Sequence, residues 1–240
     1  MNNKISENSN YTALIIFAVA MGFLEAIVVV YVRELYYPEG FEFPLKELPP
    51  KIILIELIRE LTTMLMLGSV AWITGKFFLK RLSVFLLLFG IWDIFYYVAL
   101  KIFLNWPESL FTWDILFLIP IAWVGPVLAP VICSLVMIFM ALTFDWFYKE
   151  RKLMKLRWKE LLLIFSGAAI ILYTFVYDFG KIILEGNFLK DFFTLAENPV
   201  FLKVLTSYEP MHYQWGIFTI GMAIIILGNI FIIQRGLSEK

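Results

Sequence analysis

Apolar runs about as long as a bilayer is thick recur along this chain, and they restrict its fold more than any other feature. Crossing hydrocarbon as a helix takes roughly 20 apolar residues. Six candidate runs lie at about 11–32, 52–73, 82–104, 126–148, 160–177 and 211–233. Of the 240 residues, 61% are hydrophobic and 17% charged, where soluble domains run at about 45–50% and about 25%. A water-soluble core of this size cannot hide that much apolar surface. The sequence therefore predicts an all-α, polytopic membrane helix bundle of about six transmembrane helices, a single integral membrane domain over residues 1–240.

The first ten residues are polar, and the apolar run behind them exceeds a signal-peptide core and lacks a small-residue cleavage pattern. It is expected to be a retained membrane anchor. The stretch 113–148 is too long for one span and too short for two. It carries Pro120, Gly125, Pro126 and Pro130, which break or kink helices. Counting back from Phe144 to Tyr148 places the span at about 126–148, and residues 112–124 are expected to form a proline-broken interfacial or re-entrant helix. Thr112 would cap it, and Asp114 would sit in its first turn, where the helix dipole favours an anion. The outer interfacial segments are expected at 106–125 and 187–197. In the second, phenylalanine and leucine recur near helical spacing, as in a helix lying on a membrane surface.

Lysine and arginine set the orientation. With a cytoplasmic N-terminus, twelve of the 20 basic residues fall inside and seven outside, Arg33 and Lys46 among the latter, with Arg59 in a span. The basic loops at 75–81 and 148–159 follow the positive-inside rule. Both termini are thus expected in the cytoplasm, with the plasma membrane as the default location. The basic run 149–159 suits anionic lipid on the cytoplasmic side.

Charge inside the spans carries the functional signal. An ionisable residue deep in hydrocarbon costs about 2.5–3.5 kcal/mol on insertion scales and calls for a partner or a wet cavity. At about 1.5 Å rise per residue, Glu25 lies roughly 12 Å below the outer end of its span, Arg59 and Glu60 roughly 12–14 Å, Glu56 about 7 Å and Asp93 roughly 16 Å. Three helices thus place charge in one layer of the outer half. Glu56, Arg59, Glu60 and Thr63 fall on one helix stripe, as do Asp93, Tyr96, Tyr97 and Lys101. Ala18, Gly22 and Ala26 make a small-residue ridge beside Glu25, the kind that lets membrane helices approach closely.

The candidate substrate or ion site is therefore Glu25, Glu56, Arg59, Glu60, Asp93, Tyr96 and Tyr97. Carboxylates outnumber cations there, which suits a cation, a proton or a small polar solute better than an anion. Trp92 and the two tyrosines could add ring faces to such a site. Arg59 could instead pair with Glu25 or Asp93, and Glu56 with Arg59, leaving a structural network. His212, the one histidine, reads as a surface or packing residue, while Asp178 could reach the same vestibule and Asp145 reads as interfacial.

With one cysteine, Cys133, disulfides and a thiolate metal site within the chain are excluded. The sequence lacks nucleotide-binding glycine motifs, a zinc-protease signature and a nucleophile elbow. No cofactor is implied, and the zero net charge gives no reason to expect nucleic acid as a partner. Three functions stay open: binding or transport in an outward-facing acidic pocket lidded by 106–125, a structural or assembly subunit docking a membrane protein partner, and an enzyme acting on a lipid or lipid-linked substrate.

Overall fold

The computed structural model describes residues 10–149 and 156–238. Its elements are α1 (Tyr11–Tyr36), α2 (Pro50–Thr74), α3 (Phe78–Leu104), β1 (Trp113–Phe117), β2 (Trp123–Pro126), α4 (Leu128–Lys149), α5 (Trp158–Glu185), a 3-10 helix (Phe188–Glu197), α6 (Pro199–Leu205) and α7 (Trp215–Ser238). Five of these, α1, α3, α4, α5 and α7, are long and apolar enough to cross a membrane. The chain is a multi-pass helical membrane protein. At 25 residues α2 is also long, but Glu56, Arg59 and Glu60 interrupt its apolar character.

Several helices run past the bounds their composition suggests, α1 and α5 at their outer charged residues among them. Helix α1 continues beyond residue 32 through Arg33 to Tyr36, and α5 continues beyond Tyr177 to Glu185. In both, charged residues mark the end of the apolar run without ending the helix, because backbone hydrogen bonding there is indifferent to side-chain charge. The last span starts at Trp215, and 211–214 precede it outside any regular element.

Helix α3 is the centre of one half of the bundle, packed between α1 and α4 with α2 alongside, and α5 pairs with α7 in the other half. Small residues set these distances. A Cβ on Gly22 would stand 2.6 Å from the Trp92 carbonyl oxygen on α3. A Cβ on Gly167 of α5 would stand 2.6 Å from the Gly221 carbonyl of α7. Neither interface tolerates a side chain, so backbone lies on backbone.

Ion pairs clamp the end of the bundle where α1 begins. Lys80 of α3 meets Asp145 of α4 at 2.5 Å, and Tyr11 of α1 hydrogen-bonds to Asp145 as well. Asp145 is 7% exposed, so it is a buried partner of three-helix packing. Sequence reasoning missed it because its position near an aromatic helix end resembles an interface belt. Arg235 of α7 reaches Glu160 of α5 through two nitrogens, at 2.7 and 2.9 Å, while Glu160 also accepts from the Arg157 N–H at 2.8 Å. Glu160→Gln is expected to lower stability by about 1.5–3 kcal/mol, the worth of a hydrogen bond to a charged group. Thermal unfolding of the detergent-solubilised protein measures it. Of the basic run 149–159, residues 150–155 lie outside the described part.

The expected helix over 112–124 is replaced by a β-hairpin. Strands β1 and β2 pair antiparallel, Trp113 with Pro126, Asp114 with Gly125, Ile115 with Val124 and Phe117 with Trp123, with an irregularity between Ile115 and Phe117. The aromatic and β-branched content of Trp113-Asp-Ile-Leu-Phe and Trp123-Val suits strands. Pro120 sits in the connection, where it costs no ladder bond. Periodicity cannot distinguish so short an apolar run from a helix. Thr112 caps nothing helical; its hydroxyl accepts from the Ser109 N–H at 3.1 Å.

The hairpin lies between the two halves of the bundle. Trp123 stacks on Phe175 of α5 at 5.9 Å and 10°, and Val124 packs with Phe179, Ile183 and Phe201. Protein side chains pack around this non-helical backbone, the condition under which irregular backbone is tolerated in membrane proteins.

Candidate functional site

At the end of the bundle opposite the Lys80–Asp145 pair, a cavity of about 350 Å³ opens between α1, α2, α3 and the hairpin on one side and α5, the 3-10 helix and α6 on the other. Glu25, Glu56, Arg59, Glu60, Asp93 and Tyr96 all line it. Spacing explains the α2 contribution: Glu56, Arg59, Glu60 and Thr63 form one stripe, and Glu56, Glu60 and Thr63 are buried while Ile58, Leu61 and Leu65 point outward. The Gly22 contact brings α1 against α3, and Glu25 lies one turn beyond it.

Arg59 is the hub. Its guanidinium pairs with Glu25 of α1 through Nη1 and with Glu56 at 2.8 Å, and stands 4.0 Å from Glu60. The Thr63 hydroxyl donates to the other oxygen of Glu25 at 2.7 Å. Glu60 takes both its oxygens to the hairpin, accepting from the Leu118 N–H at 2.9 and 3.1 Å. A backbone donor at the hairpin's turn, left without a ladder partner, is thus satisfied by a carboxylate of α2. Asp93 is not bound to Arg59; it accepts from Ser134 of α4 at 2.7 Å.

A second charged pair was not legible in the sequence. Arg33, near the end of α1, pairs with Asp114 of β1 at 2.9 Å; the two are 6% and 1% exposed. Both line the cavity. The Arg33 guanidinium also lies 3.9 Å from the Trp106 ring centroid and 4.3 Å from that of Phe41, cation–π contacts that hold it in place. Tyr97 does not line the cavity; it is buried behind it and donates to Asp114 at 3.3 Å. Arg33 reads as a loop cation and Asp114 as a helix-start anion when taken locally. Only the longer α1 and the hairpin, 81 residues apart in sequence, bring them together.

Tyr96 lies within electrostatic reach of Asp114, Arg33, Arg59 and Asp93, between the two charged groups. Asp178 is apart from the cavity: Tyr208 donates to it at 2.5 Å. Burial, then that hydrogen bond, raise the Tyr208 phenol above its ordinary range. His212 is exposed, in the segment before α7.

The remaining walls are apolar. Phe41 and Leu45 from the connection 37–49, Phe117 and Ile121 from the hairpin, and Phe179, Phe201 and Leu202 from the far side complete the lining. Lys46 stands exposed at the rim, 5.3 Å from the Tyr37 ring centroid. Among the described residues, no three His, Cys, Asp or Glu side chains converge as a metal-binding group. The carboxylates surround the cavity without meeting at one point.

Fold and site together define a polytopic helical membrane protein with a buried ionic network around an internal cavity. No protein-family model, curated protein or solved structure matches the chain.

Proposed function

We propose that this protein binds a cation, a proton or a small polar solute in its cavity and carries it across the plasma membrane. In this reading α2 is a sixth span, both termini are cytoplasmic, and the cavity faces outward beneath the hairpin. One observation carries it: five carboxylates (Glu25, Glu56, Glu60, Asp93, Asp114), the buried Arg33 and the partly buried Arg59 line one cavity, drawn from α1, α2, α3 and β1. Charge at membrane depth costs too much to be kept without a partner or a function. The arginines leave a surplus of acid, which a bound cation would offset. A volume of about 350 Å³ falls at the small end of the roughly 300–1,000 Å³ typical of small-molecule sites.

Glu60→Gln and Asp93→Asn should each weaken solute uptake or binding about tenfold or more, one charge-assisted hydrogen bond's worth. Uptake into vesicles holding each purified variant measures this. Unchanged behaviour in both would contradict the proposal.

The pairing of Arg59 with Glu25 and Glu56 favours a second reading, a structural or assembly subunit whose network fixes helix register. Under it, the same variants would lower stability and leave uptake untouched.

A further inference from the structure

Four of the five cavity carboxylates already have a cation. Asp114 has Arg33, while Glu25, Glu56 and Glu60 stand around Arg59. Asp93 has none within ion-pair distance among the described residues: Ser134 donates to one of its oxygens at 2.7 Å, and the other accepts from no described side chain. Asp93 is only half-buried, and it lines the cavity, so part of its surface stays open there. Tyr96 lies three residues on, hence on the same face of α3. It too is half-buried, lines the cavity and stands within electrostatic reach of Asp93. A carboxylate oxygen with a phenol beside it and no protein cation is an acceptor site for a cation that carries N–H groups.

Away from Asp93 the cavity is apolar, and the hairpin makes that wall continuous. Phe117 packs with the cluster that holds Trp92, next to Asp93, and Ile121 packs with the cluster that holds Phe179 and Phe201. Phe117, Ile121, Phe179, Phe201 and Leu202 all line the cavity. A wall of this kind gains nothing from an inorganic ion and gains from each methylene it covers. The acids of the described residues also do not converge into the oxygen cage that a hard metal ion takes.

We propose, building on the function above, that the cation is an amphiphilic primary amine. Its ammonium sits on Asp93 beside Tyr96, and its apolar chain lies along the hairpin toward α5 and α6.

Binding of methylammonium, butylammonium and hexylammonium to the purified full-length protein in nanodiscs tests this, with empty nanodiscs as the blank. Affinity should rise by up to about fourfold for each added methylene, the worth of burying one. Hexanol and hexanoate, which keep the chain and lose the cation, should bind about tenfold or more weaker than hexylammonium. Asp93→Asn should weaken hexylammonium by a similar factor. Leu202→Trp, by filling the apolar end, should stop the gain at a shorter chain. Size-exclusion profiles report whether each variant folds, and the wild-type chain series stands without either.

Equal affinity for methylammonium and hexylammonium would overturn the amphiphile and leave a small-cation function standing. Hexanol binding as tightly as hexylammonium, or folded Asp93→Asn binding hexylammonium like the wild type, would overturn the ammonium site. If no ammonium binds, the proposal falls, and the vesicle uptake assay with Glu60→Gln and Asp93→Asn decides the broader function independently.

Discussion

Arg59→Met is expected to cost about 3–5 kcal/mol of stability, the usual penalty for stranding buried charges by removing their partner. Arg59 is only 17% exposed at its side chain and holds Glu25 and Glu56, which are themselves buried, with Glu60 nearby. Methionine fills much of the same space, so packing loss contributes little. What remains is two or three carboxylates in a low-dielectric wall with no cation. Adding Glu25→Gln to Arg59→Met should return part of the loss, because the neutral amide still accepts from Thr63 and no longer carries an uncompensated charge. Thermal unfolding in detergent of the two single variants and the double variant gives the coupling directly. Additive losses would mean that the pair contributes nothing to holding α1 against α2.

The second large effect concerns the floor on which the site is built. Gly22→Leu should destabilise the bundle at or beyond the upper end of the about 1–3 kcal/mol typical of overpacking. The added Cβ meets the Trp92 carbonyl at 2.6 Å and the Tyr96 backbone nitrogen at 2.9 Å, neither of which can swing aside as a side chain would. Helices α1 and α3 must part, and Glu25 moves with α1. Gly68→Ala on α2 is the matched control: nothing lies within 4 Å of its added Cβ. It should be neutral or gain up to about 1 kcal/mol from the lost glycine flexibility. Equal effects from the two would show that the α1–α3 approach does not depend on Gly22.

These two residues also show what could be read from sequence. The Ala18-Gly22-Ala26 ridge predicts close helix approach beside Glu25, and the Gly22 contact with α3 is such an approach. The i, i+3, i+4 spacing on α2 aligns Glu56, Arg59 and Glu60, and depth counting puts Arg59 and Glu60 level with Glu25 and Glu56 nearer the surface. All of this is local periodicity plus a fixed rise per residue. Asp93 shares the cavity but takes Ser134 on α4, a choice set by rotation of α3 that depth alone does not specify.

The unread half depends on long-range pairing. Thirteen residues at 112–124 are apolar and proline-broken, a pattern that a shallow helix and a buried hairpin share. The hairpin is selected by what surrounds it: Phe175 beneath Trp123, Glu60 for the Leu118 N–H, and Arg33 for Asp114. None of these partners lies near it in sequence. The partners of Asp145 went unread for the same reason, since Lys80 and Tyr11 come from other helices. Arg33, Asp114 and Asp145, read locally as an outer basic residue, a helix-start anion and an interfacial acid, are buried ion-pair partners.

The most direct test of the account asks whether water reaches one face of α2 and not the other at the same depth. In a Cys133→Ala background, Leu57→Cys places a thiol on the cavity wall, and Ile58→Cys places one on the outward surface, where Ile58 is 56% exposed to the surroundings of the bundle. A small cationic, membrane-impermeant thiosulfonate added to sealed vesicles from the outer side should modify the first rapidly, drawn by the surrounding carboxylates. It should leave the second unreacted, as expected if α2 is a sixth span with Ile58 toward lipid. Modification of Ile58→Cys as fast as Leu57→Cys, or of neither, would contradict an aqueous ionic cavity enclosed by these helices.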